Sequence, residues 1–143
     1  MREIIYVGKR KDNGKWVKGF PFVRKNTQGE IIDYFIIEDA YEQITDGQRY
    51  VRSNLNQECF RVYPETVSQF TGQLDIDGDY IYEGNVWEYN GVRGFVRYCE
   101  EDCEFEAVYR IGGIEYQNTI TENAAKRLKI IGNIHDNPEL LEG

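Results

Sequence analysis

Asn-Gly occurs twice in this chain, at Asn13-Gly14 and at Asn90-Gly91, each time between two runs rich in aromatic and β-branched residues. A type I′ turn needs positive φ at both central positions, and Asn-Gly reaches it at little steric cost, so each dipeptide predicts a β-hairpin. The first hairpin is expected over about residues 3 to 24. The second joins Val86-Trp87-Glu88-Tyr89 to Gly94-Phe95-Val96-Arg97-Tyr98. A chain punctuated this way has little room for long helices, and its 14% aromatic content suits pleated surfaces.

The remaining elements extend the pattern. Ile31 to Ile37 is almost continuously apolar, which predicts a central strand or one covered on both faces. Cys59 to Tyr63 alternates as a strand, and Pro64 begins a single turn through Glu65, Thr66 and Val67 that Gly72 ends. Phe105 to Arg110, Ile114 to Tyr116 and Leu128 to Ile134 follow as short strands, with a capped helix of about two turns between Thr121 and Arg127. Pro21 has no N–H for a ladder and marks an edge or a strand break. Glu38 to Asn56 reads as irregular loop or one short helical turn, because Asp46-Gly47 interrupts the face offered by Tyr41, Ile44 and Gln48.

The expected fold class is therefore mainly β, all-β or α+β with short helices. An N-terminal β-hairpin layer with an irregular linker occupies 1–57, and an SH3-like small β-barrel occupies 58–143, its barrel core over about residues 70 to 136. The two regions are expected to pack as one compact unit, since 143 residues supply one core of ordinary size.

A formal net charge of -8 repels phosphate on average and argues against nucleic acid. The one dense basic cluster, Lys9, Arg10, Lys11, Lys15 and Lys18, reads as the solvated faces of two strands. No apolar run reaches the roughly 18 residues a membrane helix needs, and the N-terminus lacks the apolar core of a signal peptide. Cys59, Cys99 and Cys103 are then expected as reduced thiols, which places the protein in a cytoplasm.

Few residues invite chemistry. Asp75-Ile76-Asp77-Gly78-Asp79 with Glu83 resembles an oxygen-ligand loop, but its spacing departs from the EF-hand pattern, and a turn rich in Asp and Gly explains it as well. Cys59, Cys99, Cys103 and His135 are four zinc-ligand types of which only Cys99 and Cys103 are closely spaced. No nucleophile elbow and no phosphate-binding Gly-rich loop occurs. No catalytic, cofactor or metal residue is assigned, and catalysis is not expected. The candidate interaction surface is Trp87, Tyr89, Arg93, Phe95 and Tyr98, because alternation turns about half of such strand residues outward.

Three segments in fixed order carry a family likeness: Glu65 to Gly72, Tyr80 to Asn85 and Ile131 to Gly143. With Arg2-Glu3-Ile4, Gly8-Lys9 and Asn13 to Gly19 at the front, they resemble the YopX family of phage and prophage proteins. The likeness leaves out Gly29 to Phe60. It implies a phage-encoded, β-rich protein of the host cytoplasm and carries over no catalytic residue. The family pattern continues Tyr-Glu-Gly with Asp, whereas Asn85 stands here, which counts against any role needing a carboxylate at that place. The tail Asn137-Pro138-Glu139-Leu140-Leu141 is expected to dock its leucines on the barrel.

The function that follows is a non-enzymatic accessory module of a phage or prophage that binds a host or phage protein, with no cofactor and no membrane partner. The alternatives are a single-stranded nucleic-acid binder using the aromatic strands, a small hydrolase using acidic residues, and a structural homo-oligomer.

Overall fold

A computed structural model describes residues 3–38, 41–45, 48–52 and 59–142, with 41–45 and 48–52 described as backbone only. The fold is mainly β, its hairpins and sheets built on antiparallel ladders, with one short α-helix among the described residues. It divides into two units, Ile5–Ser68 and a second built from Met1–Ile4 with Gln69–Gly143. Where the sequence placed the division after residue 57, the contacts place it after Ser68. The reason is β6 (Phe60–Val62), which pairs with β3 (Ile31–Glu38) through Tyr34↔Val62, Phe35↔Arg61 and Ile36↔Phe60 and so belongs to the N-terminal sheet.

In the N-terminal unit, β1 (Tyr6–Lys9) and β2 (Trp16–Lys25) form the expected hairpin, and the sheet runs in the order β6-β3-β2-β1. The turn is longer than Asn13-Gly14 alone suggests. Gly14 has φ 71° but Asn13 is not in the left-handed region, and the loop closes through Arg10 N–H to the Lys15 carbonyl, 2.9 Å. Pro21 sits inside β2, opposite Ile36, past the last β1 partner at Gly19. There β2 has only β3 beside it among the described strands, so the missing N–H costs no ladder bond on a second side.

One face of this sheet carries the core: Val17, Ile36 and Val62, with Tyr34, Phe60 and Val67 packed around them. Each such fully buried aliphatic side chain contributes about 1.5–3 kcal/mol. Gly8 admits them, since a Cβ there would lie 2.9 Å from Ile36 Cδ1. The segment expected as irregular holds a hairpin instead, β4 (Tyr41–Thr45) against β5 (Gln48–Arg52), with Thr45 opposite Gln48. Asp46-Gly47, read as an interruption of a helix, falls between those strands in the sequence; with residues 39, 40 and 53–56 of that segment, it lies outside the described ones.

In the C-terminal unit, β7 (Ser68–Leu74) and β8 (Tyr80–Tyr82) pair as a ribbon. Gly72 was expected to end a turn but lies within β7, at φ 89°, where the register shifts between Phe70 and Leu74. The hydroxyl of Thr71 donates to the Ile81 carbonyl across this irregularity, 2.9 Å. A five-stranded sheet follows in the order β12-β11-β10-β9-β13, from β9 (Asn85–Tyr89), β10 (Val92–Cys99), β11 (Glu104–Ile111), β12 (Ile114–Thr119) and β13 (Lys129–Asn133). Asn90 and Gly91 at φ 48° and 77° make the predicted type I′ turn between β9 and β10. The sheet is open: no ladder joins β12 to β13, so the closure of a small barrel is not part of the pairing.

Ile81, Trp87, Val96, Ala107, Ile120, Ala125 and Leu128 form the core of this unit. Trp87 fits because Gly94 opposes it; a Cβ on Gly94 would meet the indole at 2.4 Å. Helix α1 (Glu122–Ala125) starts as predicted, with the Thr121 hydroxyl accepting from Ala124 N–H, 3.2 Å. Past β13, a 3₁₀ turn (Pro138–Leu141) docks the tail. Leu140 Cδ1 lies where a Cβ on Gly132 would be 3.0 Å away, while Leu141 stays 38% exposed. Only the first leucine does the expected work.

Candidate functional site

The five aromatic and basic residues singled out in the sequence do not form one surface. Alternation along β9 and β10 puts Trp87, Tyr89 and Tyr98 on one face of the sheet and Arg93 and Phe95 on the other. Trp87 is buried, with its indole N–H donating to the Phe95 carbonyl, 3.1 Å. Tyr89 and Tyr98 are exposed, Arg93 pairs with Glu88 at 3.4 Å, and Phe95 is half-buried.

The two edges of the same sheet differ more instructively. Outward backbone groups on an edge strand template another strand unless something blunts them. At β13 the blunting is built in. Ile130 N–H donates to Asp75 Oδ2 (3.0 Å), Asn133 N–H to Asn137 Oδ1 (3.3 Å), and the strand carries an irregularity between Ile130 and Gly132. At β12 all six residues, Ile114 to Thr119, are exposed, and among the described residues no side chain closes on its outward backbone. It contains no Lys, no Pro and no bulge, the usual guards of an edge.

This open edge is held firmly from behind. Tyr116 stacks on Tyr109 at 5.4 Å between ring centres, and Tyr109 meets Trp87 edge-on at 5.8 Å, so an aromatic row ties the edge to the core. Glu115 reaches Arg97 (3.4 Å) and Arg110 (3.6 Å). Arg97 also holds the buried Glu106 at 2.9 Å, and that hydrogen bond raises the guanidinium pKa above its usual value.

The C-terminal end of β12 opens into a cavity of about 300 Å³ lined by Gln69, Thr71, Tyr98, Cys103, Glu104, Phe105, Thr119 and Ile120. Tyr98 and Phe105 rings pack at 5.1 Å on one wall, and the Thr119 hydroxyl donates to Glu104 Oε1 at 2.9 Å on another. In the chain, the acidic turn Glu100-Glu101-Asp102 leads directly into Cys103 and Glu104 of this lining. Although the residue is partly exposed, partial desolvation of its hydroxyl, reinforced by the Cys103 thiol and Glu100, raises the Tyr98 pKa above its ordinary value. Cys103 sits in the left-handed region at φ 53°, unusual for a residue with a side chain, and its thiol lies 3.5 Å from the Glu100 carbonyl.

Charge separates the units sharply. Ile5–Ser68 holds ten basic and nine acidic residues, net +1, whereas the rest holds seven basic and sixteen acidic, net -9. The cavity and the β12 edge therefore lie in the unit that carries the acidity of the whole chain.

Two groups of ligand-type side chains come together among the described residues. Asp75, Asp77 and Asp79 converge within 4.8 Å, but Asp75 Oδ1 accepts from Asp77 and Asp79 N–H (2.9 Å each) and Oδ2 from Ile130 N–H. Asp75 thus ties the β7–β8 turn to β13. Cys99, Asp102 and Glu106 bring one ligand atom each within 4.8 Å of the others, with Cys99 Sγ 3.7 Å from Asp102 Oδ2, while Cys103 Sγ lies against the Glu100 carbonyl. His135 lies against Gly84, where a Cβ would be 3.8 Å from Nε2. At Asn85, the side-chain oxygen accepts from Tyr82 N–H, 2.7 Å. That is an acceptor's task, which an amide performs as well as a carboxylate. Strand pattern marked the aromatic residues for notice; β12 was expected as the short strand Ile114 to Tyr116, and that it forms an edge depends on strand order, which local pattern does not give.

A sequence profile described as YopX protein matches residues 10–142. No curated protein matches the sequence. Among solved structures, the crystal structure of protein EF1440 from Enterococcus faecalis is similar over 99% of this chain and 100% of that one, at 18% identity and a TM-score of 0.49. Among the described residues, no helix is long and apolar enough to cross a membrane.

Proposed function

The chain belongs to the YopX family, and from that premise we propose that it is a non-enzymatic protein-binding module that takes an extended, basic peptide segment of a partner along β12. The observation that carries this is the unguarded edge leading into a cavity whose lining includes Glu104. Added as a further strand, the peptide satisfies the outward backbone groups of β12 by main-chain hydrogen bonds and places alternate side chains beside Tyr116 and Asn118. One of these reaches the cavity, where the Tyr98 and Phe105 rings receive its aliphatic stem and Glu104 receives its cation. The β7–β8 ribbon and α1 act as the second layer of an SH3-like small-barrel scaffold behind the site. The setting is that of a phage or prophage accessory protein acting in the host cytoplasm, which rests on the family likeness.

Selection of random peptides on the full-length protein tests this. Enriched peptides carry Lys or Arg among alternating apolar residues, shift the NMR signals of Ile114–Thr119 and of the cavity, and bind at least about tenfold more weakly to Glu104→Lys, as loss of a charged hot spot does. Enrichment without basic residues, or shifts confined to other strands, overturns it.

A further inference from the structure

The second candidate surface lies in the N-terminal unit and is independent of the edge and cavity. Its sheet buries the face of Val17, Ile36 and Val62. Alternation puts Lys18, Phe20, Phe22 and Arg24 of β2 on the opposite face, with Ile37, Phe35 and Asp33 across from the last three and Arg61 across from Phe35. Phe20 and Phe22 remain 48% and 39% exposed there.

The rings and cations on this face are ordered. Phe22 and Phe35 stack at 5.1 Å with an interplanar angle of 12°, and the Arg61 guanidinium lies 5.6 Å from the Phe35 ring centre. The result is a cross-strand row, Arg61–Phe35–Phe22, ending on an exposed ring where β1 no longer accompanies β2. Asp33 bridges Arg24 and Arg61, the latter at 3.1 Å, and both arginine side chains stay more than half exposed. Lys18 adds a further cation toward the other end of the patch.

We propose that this sheet face binds single-stranded nucleic acid, with bases stacking on Phe22 and Phe20 and phosphates meeting Arg24, Arg61 and Lys18. Exposed aromatic rings on a sheet take bases of any sequence because every base has a π-face, and flanking cations track the backbone. The net charge of the whole chain argues against such a ligand only as an average, since sixteen of the twenty-five acidic residues belong to the other unit. A second copy of the chain is the poorer occupant. A two-fold contact through this face brings two sets of Arg24, Arg61 and Lys18 into one interface with a single, already engaged Asp33 on each copy to offset them.

Fluorescence anisotropy of the full-length protein with labelled oligothymidylate, oligouridylate and a duplex of equal length tests the proposal. Saturable binding of at least one single strand in preference to the duplex is expected, weakening steeply with added salt. Phe22→Leu, which keeps apolar bulk and removes the ring, binds about tenfold more weakly while its circular dichroism is unchanged. Should that variant lose structure, Arg61→Gln serves instead and lowers both affinity and salt dependence. Tyr98→Ala, in the cavity of the other unit, leaves the affinity unchanged. No binding at low salt, equal affinity for the duplex, or binding indifferent to both N-terminal substitutions overturns the proposal. So does self-association that Phe22→Leu abolishes, which assigns the face to a second copy.

Discussion

The N-terminal unit buries one face of its sheet and leaves phenylalanines and arginines on the other, whereas the C-terminal unit fills both faces of its five-stranded sheet and leaves an edge. On one face of that sheet lie Trp87, Val96 and Ala107 with Ile81, Ile120 and Leu128 over them; on the other Val86 and Val108 are fully buried, with Leu140 against Gly132. A free face offers side chains and selects by stacking and charge. A free edge offers backbone and selects by what alternate side chains can reach. The charge difference of +1 against -9 follows the same division, and the ligands proposed for the two surfaces are accordingly of opposite sign.

The contrast is tested most severely at Trp87. If the C-terminal sheet is filled on the face this residue occupies, Trp87→Ala costs about 3–5 kcal/mol, read by chemical denaturation. A cost below about 1 kcal/mol, the value of a typical surface change, would mean that the indole is a surface group after all. In the N-terminal unit the corresponding weak point is Gly19, where a Cβ would fall 1.8 Å from the Ile37 carbonyl oxygen. Gly19→Ala forces β2 and β3 apart at a cost of about 1–3 kcal/mol, seen as lost hydrogen-exchange protection in Ile31–Glu38. Unchanged protection there would sink the close approach.

Much of this organisation is written in the sequence, though unevenly. Asn90-Gly91 and the capping Thr121 act through local backbone preferences, and local preferences are legible residue by residue. The β4–β5 hairpin was missed because Tyr41, Ile44 and Gln48 fit a helical period, and Asp46-Gly47 read as a break in that helix and not as a signal joining two strands. The strand β7 was missed because Gly72 looked like a terminator; its role as a bulge depends on a partner, β8, that local pattern does not name. The same limit applies to the surfaces. Whether Trp87 or Phe22 faces solvent depends on which side of each sheet is covered, a long-range fact that alternation alone leaves undecided. Asn85 was readable only once Tyr82 N–H was seen to be its donor.

The tail gives a smaller effect that sharpens the picture of the filled C-terminal sheet. Leu140 is half-buried over Gly132, and Asn137 Oδ1 caps Asn133 N–H on the β13 edge. Ending the chain after Asn137 removes the leucine but keeps the cap, and is expected to cost about 1–2 kcal/mol, roughly half the burial of a full leucine side chain. Asn137→Ala in the intact chain separates the two contributions, since it exposes the β13 edge while leaving Leu140 in place. A melting temperature unaffected by the truncation would leave the covering of that face without its supposed agent.

The smallest effect belongs to Asp33, and it probes the cationic face of the N-terminal sheet directly. The Arg24 hydrogen bond, supported by the charges of Arg24, Arg61 and Lys11, holds its carboxyl below the usual aspartate value. A group whose pKa is lower folded than unfolded stabilises the fold above the unfolded value and loses that contribution as pH falls through the folded one. The stability difference between the native protein and Asp33→Asn should thus be constant near neutrality and shrink once pH drops below about 4. Arg24→Gln should move the Asp33 carboxyl titration, followed by NMR, back toward the ordinary value. An Asp33 titration that ignores Arg24 would show the arginines of this face to be uncommitted to Asp33, and the face would then carry more free positive charge than the ion pairs allow.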